Sequence, residues 1–422
     1  MSGGIKSDSA FSLIANTSLA LSNWALLIIL SKTFSAEQLG QVVLSLSICA
    51  PIFLLISLNL RTLLVVDVTW DYSLSTYWQA RMLVGGAAVV IAYCLFRLAP
   101  SAIEPIYFLI ILLYKYIDSL SEFIHAYYRR TSYFKLSAVI VSLKSIFSIS
   151  LLLLGGFSSF ELNYVLTIWL LNAITFTGLE YILFKKLIAK HDSESLPINI
   201  LATKSVKAIF GLFVRYRTLA VSAVISALFF NVPNYFLASH ISIESAGYFA
   251  TLSYFMVAGA IVINSISQSC SPRLARFFVN DKRAEFTQLV RLMCLSGLVI
   301  GASAIIFSWL FGSWLLRFVY NESIADYHLE LVIIMAAAAL RYCYIFIGTA
   351  MSSMKEFRLQ TRIYTAGIIT LTLSCFLLVP TLNLLGASLA MLIAVSVEMI
   401  CYFVLINRTV ISCFEKREKS CQ

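Results

Sequence analysis

The chain has 422 residues, 60% of them hydrophobic and only 12% charged, and a formal net charge of +10. Soluble domains carry about 25% charged residues. This composition, with a mean hydropathy of +0.88, excludes a soluble globular protein and predicts an all-α polytopic membrane protein. The basic residues form no cluster on a soluble face, which excludes nucleic acid as a partner; they report orientation in the bilayer instead. Nine scattered cysteines without a Cys-x-x-Cys, and four histidines far apart, predict no metal site and no cofactor.

A helical span needs about 20 apolar residues. In chain order that length predicts spans over 10–32, 41–66, 81–99, 106–128, 135–155, 163–185, 209–238, 246–270, 289–318, 327–353, 361–380 and 385–407. The runs are continuous rather than alternating, so a barrel is excluded. The tail "MSGGIKSDSA" is short and polar, and the run after it is long enough to span, so no cleaved signal peptide is expected. Trp24, Trp78, Trp169, Trp309 and Trp314 stand near span ends and suit the membrane interface.

Of the 31 Lys and Arg, twenty-four fall on the side that holds both termini, Arg81 among them. Three fall on the opposite side, and Arg61, Lys115, Lys144 and Arg341 fall inside spans. The asymmetry predicts cytoplasmic termini. The longest loop, with "AKHDSESLP", reads as a link between halves: an N-terminal six-helix bundle over 1–190, a cytoplasmic linker over 191–208, and a C-terminal six-helix bundle over 209–422.

The halves echo one another. "SAEQLGQ" (Ser35–Gln41) precedes the second span and "SIESAGY" (Ser242–Tyr248) the eighth, both reading Ser-x-Glu-x-x-Gly. "YFKLS" (Tyr133–Ser137) follows the fourth span and "EFRLQ" (Glu356–Gln360) the tenth. Repeated bundles of this kind are a transporter plan, and they predict two six-helix bundles around a central cavity.

A charge at the bilayer centre costs about 2.5–3.5 kcal/mol on insertion scales. Lys115 lies about nine residues into its span, or roughly 14 Å; Lys144 and Arg341 are similarly deep, whereas Arg61 can snorkel. In the fourth span, Lys115, Asp118, Glu122, His125 and Arg129 are spaced three or four apart and share one helix face. Lipid cannot accept that face, so it meets protein or water; internal pairing, for instance Lys115 with Asp118, is the structural alternative to a substrate role. Lys115 and Arg341 stand on the fourth helix of each half, and Glu180 and Glu398 on the sixth. There is no phosphate-binding loop, no Gly-x-Ser-x-Gly and no His-Glu-x-x-His. Transport is therefore favoured over catalysis, with no catalytic residue assigned.

Several stretches resemble the O-antigen/polysaccharide flippases of the multidrug/oligosaccharidyl-lipid/polysaccharide exporter superfamily. They are "TFSAEQLGQVVLSLSI" (Thr33–Ile48), "NYFLASHISIESAGYFATLSYF" (Asn234–Phe255), "INSISQSCSPRLARFF" (Ile263–Phe278) and "LLGASLAMLIA" (Leu384–Ala394). The resemblance implies a flippase in the bacterial inner membrane that moves oligosaccharide linked to undecaprenyl diphosphate. Its partners would be the lipid-linked oligosaccharide, the bilayer, a polysaccharide polymerase and a chain-length regulator. Under it, Arg61, Lys115, Lys144 and Arg341 become substrate-binding residues that meet the diphosphate or acidic sugars, and Asp118, Glu122, Glu180 and Glu398 coupling or ion-pair residues. Two alternatives stay open. An ion-coupled drug or cation exporter would share the fold but want an acidic cavity. A polysaccharide polymerase or ligase would want a large outside loop, and none is present.

Overall fold

A computed structural model describes residues 2–57, 74–98, 103–131, 133–158, 160–191, 203–354 and 356–421. Among them there is no strand. The helices are α1 (Ser2–Thr33), α2 (Ala36–Ser57), α3 (Leu74–Leu98), α4 (Pro105–Arg130), α5 (Phe134–Phe157) and α6 (Leu162–His191). After them come α7 (Thr203–His240), α8 (Ile243–Val279), α9 (Arg283–Val319), a single turn at Glu322–Ala325, α10 (His328–Ser353) and α11 (Phe357–Cys421).

Nine helices among the described residues are long and apolar enough to span a membrane. α4 is not one of them, because Lys115, Asp118 and Glu122 crowd its centre. Nor is α11 a single span: it breaks at Asn383, whose φ of 53° is left-handed. A Cβ on Gly386 would meet the backbone of Leu378 and Val379. Residues eight apart on a straight helix are about 12 Å distant, so the chain reverses here and α11 has two antiparallel arms. With α4, α7 and the second arm counted, the all-α fold of about twelve spans expected from hydropathy is the fold observed.

The Ser-x-Glu-x-x-Gly repeat has a structural cause. Ser35 Oγ accepts a hydrogen bond from the Gln38 N–H at 3.2 Å, and the Gln38 side-chain oxygen accepts one from the Ser35 N–H at 3.1 Å, a reciprocal cap on α2. Ser242 accepts from the Ser245 N–H at 3.1 Å and caps α8. Glu37 and Glu244 sit in the two first turns, where the helix dipole favours an acid.

The described chain packs as two compact units, 1–228 and 229–422, divided within α7. The linker expected over 191–208 lies largely outside the described residues. In unit 1, α1 packs mainly on α5, while α4 touches α2, α3, α5 and α6. Trp78, Phe123, Tyr127, Tyr181 and Phe184 form an aromatic core around one end of α4, with Trp78 stacked 5.4 Å from Tyr181. In unit 2, α10 is the hub and meets α8, α9 and α11. Each unit is thus organised by its fourth helix.

Close approach in unit 2 depends on small residues. Gly297 and Gly301 of α9 face Tyr342 and Ala339 of α10, and a Cβ on Gly301 would overlap Ala339. Small residues four apart let membrane helices pack tightly. Gly301→Val is expected to lower stability by about 1–3 kcal/mol, the usual cost of overpacking, seen as a lower Tm of the purified protein. Two of the tryptophans expected at the interface pack against core rings instead. Trp169 is the buried one, stacking 3.5 Å from Tyr114, and Trp78 is half-buried against the aromatic core, because ring partners on neighbouring helices hold both. Trp309 and Trp314 are exposed.

Candidate functional site: two buried ionic clusters

In unit 1 the charged face of α4 lines a small cavity. Asp118, Ser121, Glu122, His125 and Arg129 border it, with Asn16 of α1 and Lys144 of α5. Its volume for water centres is about 30 Å³, enough for a water. Lys144 donates to Asp118 Oδ1 at 3.3 Å and to Ser121 Oγ at 3.4 Å. Asp118 is therefore held by the lysine of α5 rather than by Lys115 of its own helix. Lys115 is half-buried, with its Nζ 5.9 Å from the Tyr114 ring centroid.

Glu180, on α6, is fully buried. His125 Nε2 lies 3.0 Å from its Oε1, and His125 Nδ1 lies 2.9 Å from Ser137 Oγ on α5. Tyr128 donates to the Glu180 backbone oxygen at 2.8 Å. Charge-assisted bonds of this kind are about twice as strong as neutral ones, and they tie α4 to both α5 and α6.

Unit 2 holds the second cluster. Arg341 Nη1 donates to the Tyr344 hydroxyl at 2.8 Å, and its guanidinium lies 4.6 Å from the Phe230 ring centroid and 5.2 Å from that of Phe229. Cation–π contacts help offset the lost hydration. Tyr344 also bonds to Glu398, on the second arm of α11, so its hydroxyl bridges the two charges. Glu398 is 1% exposed, and its Oε2 has no hydrogen-bond partner among the described residues. A Cβ on Gly367 would overlap this carboxylate.

Aligning the repeats on Tyr133–Ser137 and Glu356–Gln360 places Asp118 opposite Arg341, Ser121 opposite Tyr344, and Lys144 opposite Gly367. The polarity is inverted. In unit 1 the fourth helix carries the anion and the next helix the cation. In unit 2 the fourth helix carries the cation, and the missing side chain at Gly367 admits a carboxylate from the sixth. In both units a buried Glu of the sixth helix bonds to the fourth.

No protein-family model matches the chain. It is 26% identical over 396 residues to the capsular polysaccharide biosynthesis protein CapF of Staphylococcus aureus, covering 94% of this chain and 97% of CapF. Among solved structures, it matches the lipid II flippase MurJ in an inward closed conformation with a TM-score of 0.75 at 16% identity, covering 94% of this chain and 87% of MurJ. It also matches an inward-facing multidrug resistance transporter of the MATE family and MOP superfamily, with a TM-score of 0.64 at 12% identity, over 97% and 96% of the two chains. The chain has the fold that these two structures share. It is a multi-pass membrane protein.

On this fold, the sequence-predicted residues divide between the units. Lys115, Asp118, Glu122, Lys144 and Glu180 gather in unit 1, and Arg341 and Glu398 in unit 2; Arg61 lies outside the described residues. Two residues escaped the sequence reading. Tyr344 is one. The other is Arg81, assigned to the cytoplasmic margin but 1% exposed within α3. The signal for it was there: Tyr77, Arg81 and Gly85 are four apart, one inward face of a helix.

Proposed function

We propose that the protein is a flippase for undecaprenyl-diphosphate-linked oligosaccharide repeat units. It would move them from the cytoplasmic to the outer leaflet of the inner membrane by alternating access, with both termini in the cytoplasm. The observation that carries this reading is a pair of buried ionic clusters, one at the fourth helix of each unit, in a chain similar over 94% of its length to a capsular polysaccharide biosynthesis protein. A diphosphate crossing an apolar slab loses its hydration, and fixed Lys and Arg offset that loss by strong charge-assisted bonds. Lys115, Lys144 and Arg341, with Arg61, are the proposed substrate-binding residues. Among the acids, Asp118 and Glu180 are the proposed ion-pair residues, a reading supported by their contacts with Lys144 and His125, and Glu122 and Glu398 are the proposed coupling residues. The glycan is a surface polysaccharide, O-antigen or capsule, and a polymerase and chain-length regulator are the proposed protein partners.

The test is complementation of a bacterium lacking its polysaccharide flippase. The chain should restore surface glycan and clear the lipid-linked units that accumulate inside. A second reading, ion-coupled drug export, draws on the MATE likeness and the buried carboxylates. Efflux of cationic dyes without glycan restoration would favour it. A polymerase or ligase fits the transporter fold least.

A further inference from the structure

Arg81 is among the largest fully buried side chains of the described residues, and its Nε, Nη1 and Nη2 are all buried without a hydrogen-bond partner among those residues. A buried charged donor left unmade is costly, so a guanidinium in this condition calls for a ligand in some state of the protein. Its direction follows from Gly85, one turn along the same face of α3. A Cβ there would press on the Tyr116 ring of α4, and the Tyr116 hydroxyl donates to the Met82 oxygen at 3.1 Å. Arg81 therefore lies at the α3–α4 contact. Glu122 of α4 is the carboxylate whose charge acts on it, yet no ion pair joins them. The other α4 and α6 carboxylates are engaged, Asp118 by Lys144 and Glu180 by His125.

We propose that Arg81 is an anion-binding residue that takes a phosphate-class oxyanion when α3 parts from α4. The fork of five N–H donors fits two phosphate oxygens at once. α3 is suited to move: it packs mainly on α4 and α2, and Val90, Ile91, Leu95 and Leu98 on its outer side are exposed. The residue stands near the cytoplasmic end of its span, where a lipid-linked diphosphate would be loaded. That last step rests on the flippase reading; the anion site itself does not.

The experiment uses the full-length protein purified in detergent, with inorganic pyrophosphate as probe and sodium chloride of equal ionic strength as control. Saturating pyrophosphate should raise Tm by about 2–4 °C in the parent and not in Arg81→Met. Without ligand, Arg81→Met should itself melt at a higher temperature, since an apolar side chain of similar length removes the unmet donors. Its glycan export should nevertheless fall at least about tenfold, with Arg81→Lys retaining part. Unchanged export in Arg81→Met, a pyrophosphate shift that survives the substitution, or a variant that melts lower or does not accumulate would each overturn the proposal. In nanodiscs of phosphatidylglycerol, loss of the parent's pyrophosphate shift would assign the site to a bilayer phosphate, and its retention to the lipid-linked diphosphate. If the parent chain restores no glycan while the shift is still lost in Arg81→Met, the flippase reading fails and the anion site stands.

Discussion

Replacing Lys144 with Gln is expected to abolish surface glycan and to lower the protein's stability by about 3–5 kcal/mol, the cost of stranding one partner of a buried pair. Lys144 Nζ is 3.3 Å from Asp118, and the two side chains are only 10% and 20% exposed. Removing the ammonium leaves Asp118 facing Lys115 on its own helix, which is half-buried and makes no ion pair among the described residues. Asp118→Asn should cost a similar amount in the other direction. The double variant Asp118→Leu/Lys144→Leu removes both charges and should recover most of the stability, because burying two ions costs hydration that apolar residues do not lose. That variant separates the roles. Normal thermal stability without glycan would show that the charges serve passage. Normal stability with full glycan would make the pair purely structural and remove Lys144 from the substrate path.

Glu398→Gln is expected to leave glycan transport running but unresponsive to an imposed ion gradient. The carboxylate is sealed from solvent, and Oε2 is unpartnered among the described residues. Arg341 reaches it through the Tyr344 hydroxyl rather than by direct ion pair among the described residues. Such a group can take up a proton or a sodium ion without breaking a salt bridge, unlike Asp118. Arg341→Gln should have the larger effect on transport, since the cation is lost from the fourth helix, and Tyr344→Phe should act like a milder form of it by cutting the bridge. Proteoliposomes with a pH or sodium gradient provide the measurement. An equal response in the parent and in Glu398→Gln would exclude Glu398 as the coupling residue.

Much of the fold was legible because membrane spans are written in composition. No water is available inside a bilayer to satisfy free backbone groups, so long apolar runs have one outcome. Two helix starts were legible as well: Ser35 and Ser242 recur because both cap a helix, a local interaction that leaves a local signature. The α4 stripe was readable from spacing alone, since residues three and four apart share a face whatever the face meets.

What the face meets belongs to tertiary structure. The sequence by itself determined an all-α membrane protein of about twelve spans, with charges too deep for lipid. It could not choose partners, because each partner lies on another helix at a distance along the chain that periodicity does not encode. Asp118 chose Lys144 over Lys115, which is three residues away, since a lysine from α5 can approach across the helix contact. Glu180 chose His125, and Glu398 came to rest over Gly367, a position whose meaning is the absence of a side chain. Arg81 shows the limit most clearly. By charge it belonged among the cytoplasmic cations, and only the packing of α3 against α4 placed its guanidinium inside, out of reach of water and without a hydrogen bond among the described residues.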